Sequence, residues 1–230
     1  MREIVFDTET TGLSSQNDRI IEIGCIELEN QFPTGRTLHL FINPDGCKVH
    51  PDALAVHGIT DAFLVDKPVF SAVAQQIADF FEGAHYVAHN ASFDMGFLNA
   101  EYNRIGRPPI SPDLVIDTLS LARRRHPMGP NSLDALCRRY GIDNSHRNKH
   151  GALLDAELLT DVYIEMNGGR QAALGLSTDE VVAVERDADE EVVEIGERPR
   201  PLPQRLSATE LEAHATLIAR IGADALWHKA

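Results

Sequence analysis

Cysteine is scarce in this chain. The three, Cys25, Cys47 and Cys137, lie far apart, with no CxxC pair and no zinc-type spacing. An odd, scattered set leaves no disulfide framework or cysteine metal site, and it suits a reduced cytoplasm. Long apolar runs are missing too. None approaches the roughly 18 residues of a membrane helix, and Met1-Arg2-Glu3 leads straight into a strand-like run, so neither signal peptide nor membrane span is expected. Positive charge is also short, at 21 Lys+Arg against 35 Asp+Glu, a net −14. That excludes a broad, non-specific nucleic-acid surface. Much of the deficit is local: residues 177–197 hold nine acids and one base, Arg186, a net of −8, which leaves −6 elsewhere.

What is present reads as one ordinary domain with an appendage. Ile4-Val5-Phe6 is a short apolar run ended by Asp7 and the turn-prone Thr10-Thr11-Gly12, and reads as a buried strand. Arg19 to Glu29 and Thr37 to Ile42 read as the next two, joined by short loops into an antiparallel meander. Helical spacing follows over Val69 to Phe81. A short strand, Tyr86–Ala88, precedes a helix from about Ser92 to Ile105, with Asn90 and Ser92 as its candidate caps. Val115-Ile116 is a last strand, and helices are expected at Leu119–Arg124, Ser132–Tyr140 and Ala152–Met166. Antiparallel strands, then strands alternating with helices, indicate an α/β class with a mixed sheet flanked by helices.

The folded domain is expected to span 1–168. Residues 169–206 are acidic, then Pro-rich at 198–203, and read as a flexible linker. Ser177 and Glu180 could form a capping box there. Ser207-Ala208-Thr209-Glu210 forms a better one, before Leu211, His214, Leu217, Ile218 and Ile221 on one face. A lone helix of about 15 residues is marginal in water, so 207–230, with Trp227, reads as a docking segment for a partner.

Chemistry concentrates in five residues. Asp7 and Glu9 are two apart on a strand, so they share a face and could share a cation, or be surface charges. Asp94 falls in the first turn of a helix, where a carboxylate either ligates or steadies the dipole. His150 and Asp155 are five apart, about 140° around a helix, so they cannot share one face of it. Gly151 suggests instead that His150 lies on the preceding loop and Asp155 points from the second turn. A histidine there could take a proton near neutral pH. Four carboxylates offer hard oxygen donors of the kind magnesium or manganese takes, in pairs, for phosphodiester hydrolysis. Arg123-Arg124-Arg125, Arg147 and Lys149 could meet phosphates or simply be a solvated face.

Asp7-Thr8-Glu9-Thr10-Thr11-Gly12, His89-Asn90-Ala91-Ser92-Phe93-Asp94 and His150-Gly151-Ala152-Leu153-Leu154-Asp155 resemble the three motifs of the DEDDh 3′–5′ exonucleases. Val56–Asp61, Asn131–Cys137 and Tyr140–Ser145 extend the likeness to the epsilon proofreading subunits of bacterial DNA polymerase III. The resemblance implies a ribonuclease H-like fold with a five-stranded mixed sheet. It implies two divalent cations, Mg²⁺ or Mn²⁺, held by Asp7, Glu9, Asp94 and Asp155, with His150 as general base. Leu13, Asp52 and His57, with Asp7, Glu9 and Asp155, would contact the terminal nucleotide; Asp52 stands where the family more often has glutamate.

Partners follow from the same likeness: a DNA 3′ terminus, a sliding clamp at Gln171-Ala172-Ala173-Leu174-Gly175-Leu176, the polymerase catalytic (alpha) subunit at 207–230, and a small theta-like subunit. The setting would be the bacterial cytoplasm, at the nucleoid. Two rival readings stand beside this one: an RNA 3′-trimming exonuclease, and a structural bridge between polymerase and clamp.

Overall fold

The computed structural model describes residues 1–145, 147, 149–169 and 207–221. The chain forms two compact units, Met1–Leu176 and Ser177–Ala230. The first is built on five strands: β1 (Arg2–Thr10), β2 (Ile20–Glu29), β3 (Phe32–Phe41), β4 (His85–Ala88) and β5 (Val115–Asp117), in the order β3-β2-β1-β4-β5. β2 pairs antiparallel with both β1 and β3, while β4 is parallel to β1 and to β5. The expected meander and the mixed, helix-flanked sheet are both present.

β1 is central and buried on both faces. Ile4 and Phe6 enter the larger core with α3 (Phe70–Phe81) and α4 (Ala91–Arg104). Val5 turns the other way, against Leu159 and Tyr163 of α7 (Ala152–Met166). Each such side chain contributes roughly 1.5–3 kcal/mol on burial, which fixes the register and so the face on which later β1 residues emerge.

α7 lies across β1 and β2, and Gly24 lets its first turn come close. A Cβ on Gly24 would sit 2.2 Å from the Leu153 nitrogen and 2.4 Å from the Ala152 carbonyl carbon. Gly24 is the cross-strand partner of Asp7, so this close approach brings the start of α7 beside the β1 carboxylates.

Among the described residues the remaining α-helices are α1 (Pro51–His57), α2 (Asp61–Leu64), α5 (Thr118–Arg125), α6 (Leu133–Tyr140) and, in the second unit, α8 (Ala208–Ile221). α1 and α2 are not evident from the sequence, being short and largely exposed. β1 continues through Asp7 and Glu9 to Thr10, past the end of its apolar run. β3 begins at Phe32, five residues before the expected strand, because an edge strand with one open side needs no apolar alternation. Asp155 lies in the first turn of α7, not the second. The start of α4 is capped by Asp117 of β5, whose Oδ1 accepts from the Asn90 and Ala91 N–H groups; Asn90 takes a left-handed conformation, φ 65°, and does not cap with its side chain.

α8 begins with the expected capping box: Glu210 Oε2 accepts from the Ser207 N–H, and Ser207 Oγ accepts from the Glu210 N–H. The possible capping box at Ser177 and Glu180, the linker from residue 170 on and the segment beyond Ile221 lie outside the described residues. Among the described residues no helix is long and apolar enough to cross a membrane.

Candidate active site

Asp7 and Glu9 emerge from β1 on the same face as Val5, toward α7, by strand alternation. Thr8 emerges on the other face and donates its hydroxyl to Asp94 Oδ1 at 2.7 Å. Asp94 is placed there by α4, which starts where the parallel strand β4 ends. Asp117 fastens that start: its Oδ1 also accepts from the Leu119 N–H, so one carboxylate caps α4 and α5 together. The hydroxyl of Ser120 and these N–H groups hold Asp117 below the usual carboxylate range against the opposing effect of burial. Asp155 and His150 arrive from α7 and the loop before it. All five residues line one pocket of about 290 Å³.

Crowding of negative charge dominates this pocket. Burial, then Glu22, Asp155 and Asp94, push Glu9 up to about 8. Burial pushes Asp94 up to about 7, against the Thr8 hydrogen bond. Asp7, half-buried at the pocket wall, is driven well above the usual range by burial and by Asp94, Glu9 and Asp155. Such a set favours either protons or a cation. Carboxylate oxygens without sulfur donors fit a hard divalent ion, and donor atoms of Glu9, His150 and Asp155 lie within 4.8 Å of one another.

Arg147 belongs to this pocket, where its charge alone does not place it. Its Nε and Nη2 donate to the two oxygens of Asp155, each at 2.6 Å, and Nη1 donates to Asp134 Oδ1 at 2.8 Å. Nη2 also lies 2.7 Å from His150 Nδ1. Burial opposes the charge on this guanidinium, but Asp155 and Asp134 raise its proton affinity regardless. The two acids leave Arg147 no role as a surface phosphate contact.

A larger cleft, about 710 Å³, adjoins the first; Thr8, Glu9 and Phe93 line both. Leu13, Asp52 and His57 all line it. Leu13 is 88% exposed, which excludes ordinary turn packing for its side chain. Its loop is fixed instead by Asp18, whose Oδ2 accepts from the Ser14 N–H and Oδ1 from the Thr11 hydroxyl. Arg104 of α4 donates to the carbonyls of Ser15, Gln16 and Asp18 in the same loop. Asp52 is exposed in the first turn of α1. His57 is buried at the end of α1, and burial lowers its proton affinity. His57 Nδ1 accepts from the Ile59 N–H at 2.9 Å, so the ring hydrogen is on Nε2. That Nε2 has no protein partner in hydrogen-bond geometry, although the nearby Thr10 carbonyl slightly favours the charged ring.

The Exonuclease (RNase_T) family profile matches residues 4–163. The DNA polymerase III subunit epsilon of Pasteurella multocida is 43% identical over 242 aligned positions, 99% of this chain and 94% of that protein. Among solved structures, Exonuclease X in complex with 5′ overhanging duplex DNA superposes with a TM-score of 0.55 at 30% identity, over 72% of this chain and 89% of the other. The nuclease domain of 3′hExo, a DEDDh family member bound to rAMP, gives a TM-score of 0.62 at 16% identity over 72% and 91%, which shows a shared fold.

Proposed function

This chain belongs to the exonuclease family, and within it to the DNA polymerase III epsilon subunits, and we propose that it removes mispaired 3′-terminal nucleotides for a bacterial replicative polymerase. The observation that carries this reading is the gathering of Asp7, Glu9, Asp94, His150 and Asp155 in one pocket beside a cleft of about 710 Å³.

The family chemistry uses divalent metal ions. We assign Asp7, Glu9, Asp94 and Asp155 to hold two of them, Mg²⁺ or Mn²⁺, which when bound supply the charge that activates water and steadies the leaving oxygen. His150 takes the proton of the attacking water; its side chain is 46% exposed on a loop, so it can exchange that proton with solvent. Leu13 offers its exposed side chain to the terminal base. His57 and Asp52 line the same cleft, where they would contact the terminal nucleotide. Glu9 lies on the boundary of the two cavities, where ligation and nucleotide contact meet. A mispaired end frays readily, and a frayed strand reaches a recessed pocket that paired DNA does not, so unpairing rather than base readout gives selectivity.

An acidic chain needs partners to hold DNA. The exposed Leu211, Leu217 and Ile221 of α8 support docking of 207–230 on the polymerase alpha subunit. The clamp-binding reading of 171–176, like Trp227, concerns residues outside those described, and a theta-like subunit completes the proposed assembly at the nucleoid. The proposed divisions are 1–168 for catalysis, 169–206 as linker and 207–230 for docking.

The test is 3′-end release from a labelled single-stranded DNA oligonucleotide and its RNA counterpart, with Mg²⁺ or EDTA, for wild type and His150→Ala. Metal-dependent DNA digestion that collapses at least about 100-fold in the variant is expected. Preference for RNA would move the assignment to 3′ trimming, and inactivity on both with metal bound would leave only the bridging role.

A further inference from the structure

Arg147 is used nowhere in the proposed hydrolysis, yet its side chain is only 8% exposed and sits among the catalytic groups. Its fork takes both oxygens of Asp155, the pattern in which guanidinium binds carboxylate best. The same Nη2 lies 2.7 Å from His150 Nδ1, which is also 3.2 Å from Asp155 Oδ2, so Arg147 holds His150 and Asp155 together. One side chain therefore occupies a proposed metal ligand and engages the proposed base. A divalent cation at Asp155 would meet this fixed positive charge at close range, where repulsion is strong. Nη1, held by Asp134, gives the guanidinium a second anchor on the wall of the same pocket: the Asp134 side chain is 43% exposed and is also held by Asn144.

We propose that Arg147 is a latch displaced by metal: it serves as the internal counter-cation of Asp155, and cation binding there swings it aside on Asp134 and frees the His150 ring nitrogen. The inference rests on the reading of Asp155 as a metal ligand. It couples the position of His150 to metal loading, because the same guanidinium engages both residues. A merely structural ion pair would do the opposite, since losing it would misplace Asp155 and weaken metal binding.

The experiment uses the full chain. Mn²⁺ binding is measured by calorimetry for wild type, Arg147→Gln, Arg147→Lys and Asp155→Asn, with folding checked by circular dichroism. Arg147→Gln is expected to bind Mn²⁺ about tenfold more tightly and, in EDTA, to melt at lower temperature. Arg147→Lys, which keeps the charge but not the fork, is also expected to bind more tightly than wild type. In ¹⁵N-histidine-labelled wild type, Mg²⁺ should shift the His150 ring nitrogens as Nδ1 loses its donor; metal-free Arg147→Gln should already show that shift. Equal or weaker Mn²⁺ binding in the folded variants, or His150 signals in wild type indifferent to Mg²⁺, overturns the latch. The wild-type spectrum decides even if neither Arg147 variant folds. Wild-type Mn²⁺ affinity in Asp155→Asn would instead overturn the ligand assignment on which the latch depends.

Discussion

Replacing Gly24 with alanine adds one methyl group where β2 meets the first turn of α7. The new Cβ would lie 2.2 Å from the Leu153 nitrogen and 2.4 Å from the Leu153 Cα, against 3.4 Å for ordinary contact. The obstacle is backbone, so it cannot rotate away, and the start of α7 must retreat by roughly 1 Å. Asp155 is two residues further along and moves with it, away from Asp7, the cross-strand partner of Gly24. Overpacking of this kind destabilises by about 1–3 kcal/mol, or about 2–4 °C of melting temperature per kcal/mol in a domain of this size. Misplacement of a catalytic group by about 1 Å lowers turnover about 100-fold. Gly24→Ala should therefore keep the fold, melt several degrees lower, and lose about two orders of magnitude in single-stranded DNA digestion at saturating Mg²⁺. Wild-type turnover in a folded variant would refute the reasoning, because α7 would then not be held to the sheet at the position its site requires.

The carboxylate cluster sets a pH dependence with a definite sign. Glu9 and Asp94 have proton affinities raised to about 8 and about 7, so between pH 5 and 8 these two carboxyls bind more protons in the metal-free native chain than in the unfolded one, while His57, His89 and His126, lowered by burial, bind fewer. Stability from the two carboxyls is full at acidic pH and is lost as pH rises through those values. The melting temperature of wild type in EDTA should thus fall relative to that of Glu9→Gln from pH 5.5 to 8.5; a difference that does not change with pH would contradict the assignment. Metal affinity should rise over the same interval, as calorimetry with Mg²⁺ can check. Asp117→Ala removes the acceptor of three N–H groups at two helix starts, and should lower stability by about 2 kcal/mol in urea melts while depressing activity through Asp94. Asp117→Asn, which keeps an acceptor oxygen, should restore most of both losses.

The sheet was legible because Ile4-Val5-Phe6 and the alternation after Arg19 require a buried surface on a two-residue period. The acids were legible because Asp7 and Glu9 follow that run in phase. Their spatial union with Asp94 and Asp155 was not derivable from spacing; it came through the likeness of three motifs. Arg147 was visible only as a charge. Its meaning depends on Asp134 and Asp155 approaching from α6 and α7, and no local pattern encodes a guanidinium turned inward. Asp117 escaped notice for a related reason: it caps a helix that starts 26 residues earlier in the chain, whereas Asn90 and Ser92 were the nearby candidates. Short α1 was hidden because seven residues with one buried side chain leave no periodic trace.

The hydrogen bond from the Tyr163 hydroxyl to Glu3 joins residues 160 apart and ties α7 to β1. Asp7 and Glu9 leave the ribosome well before Asp155, which follows them by about 150 residues. A nascent chain that ends before α7 carries the early acids without Asp155, and should not digest DNA. Long-range closure of this kind is slow compared with local helix formation. Activity should appear as a late, single event in synthesis, after the chain beyond α7 has emerged, so that no half-made protein digests DNA ends.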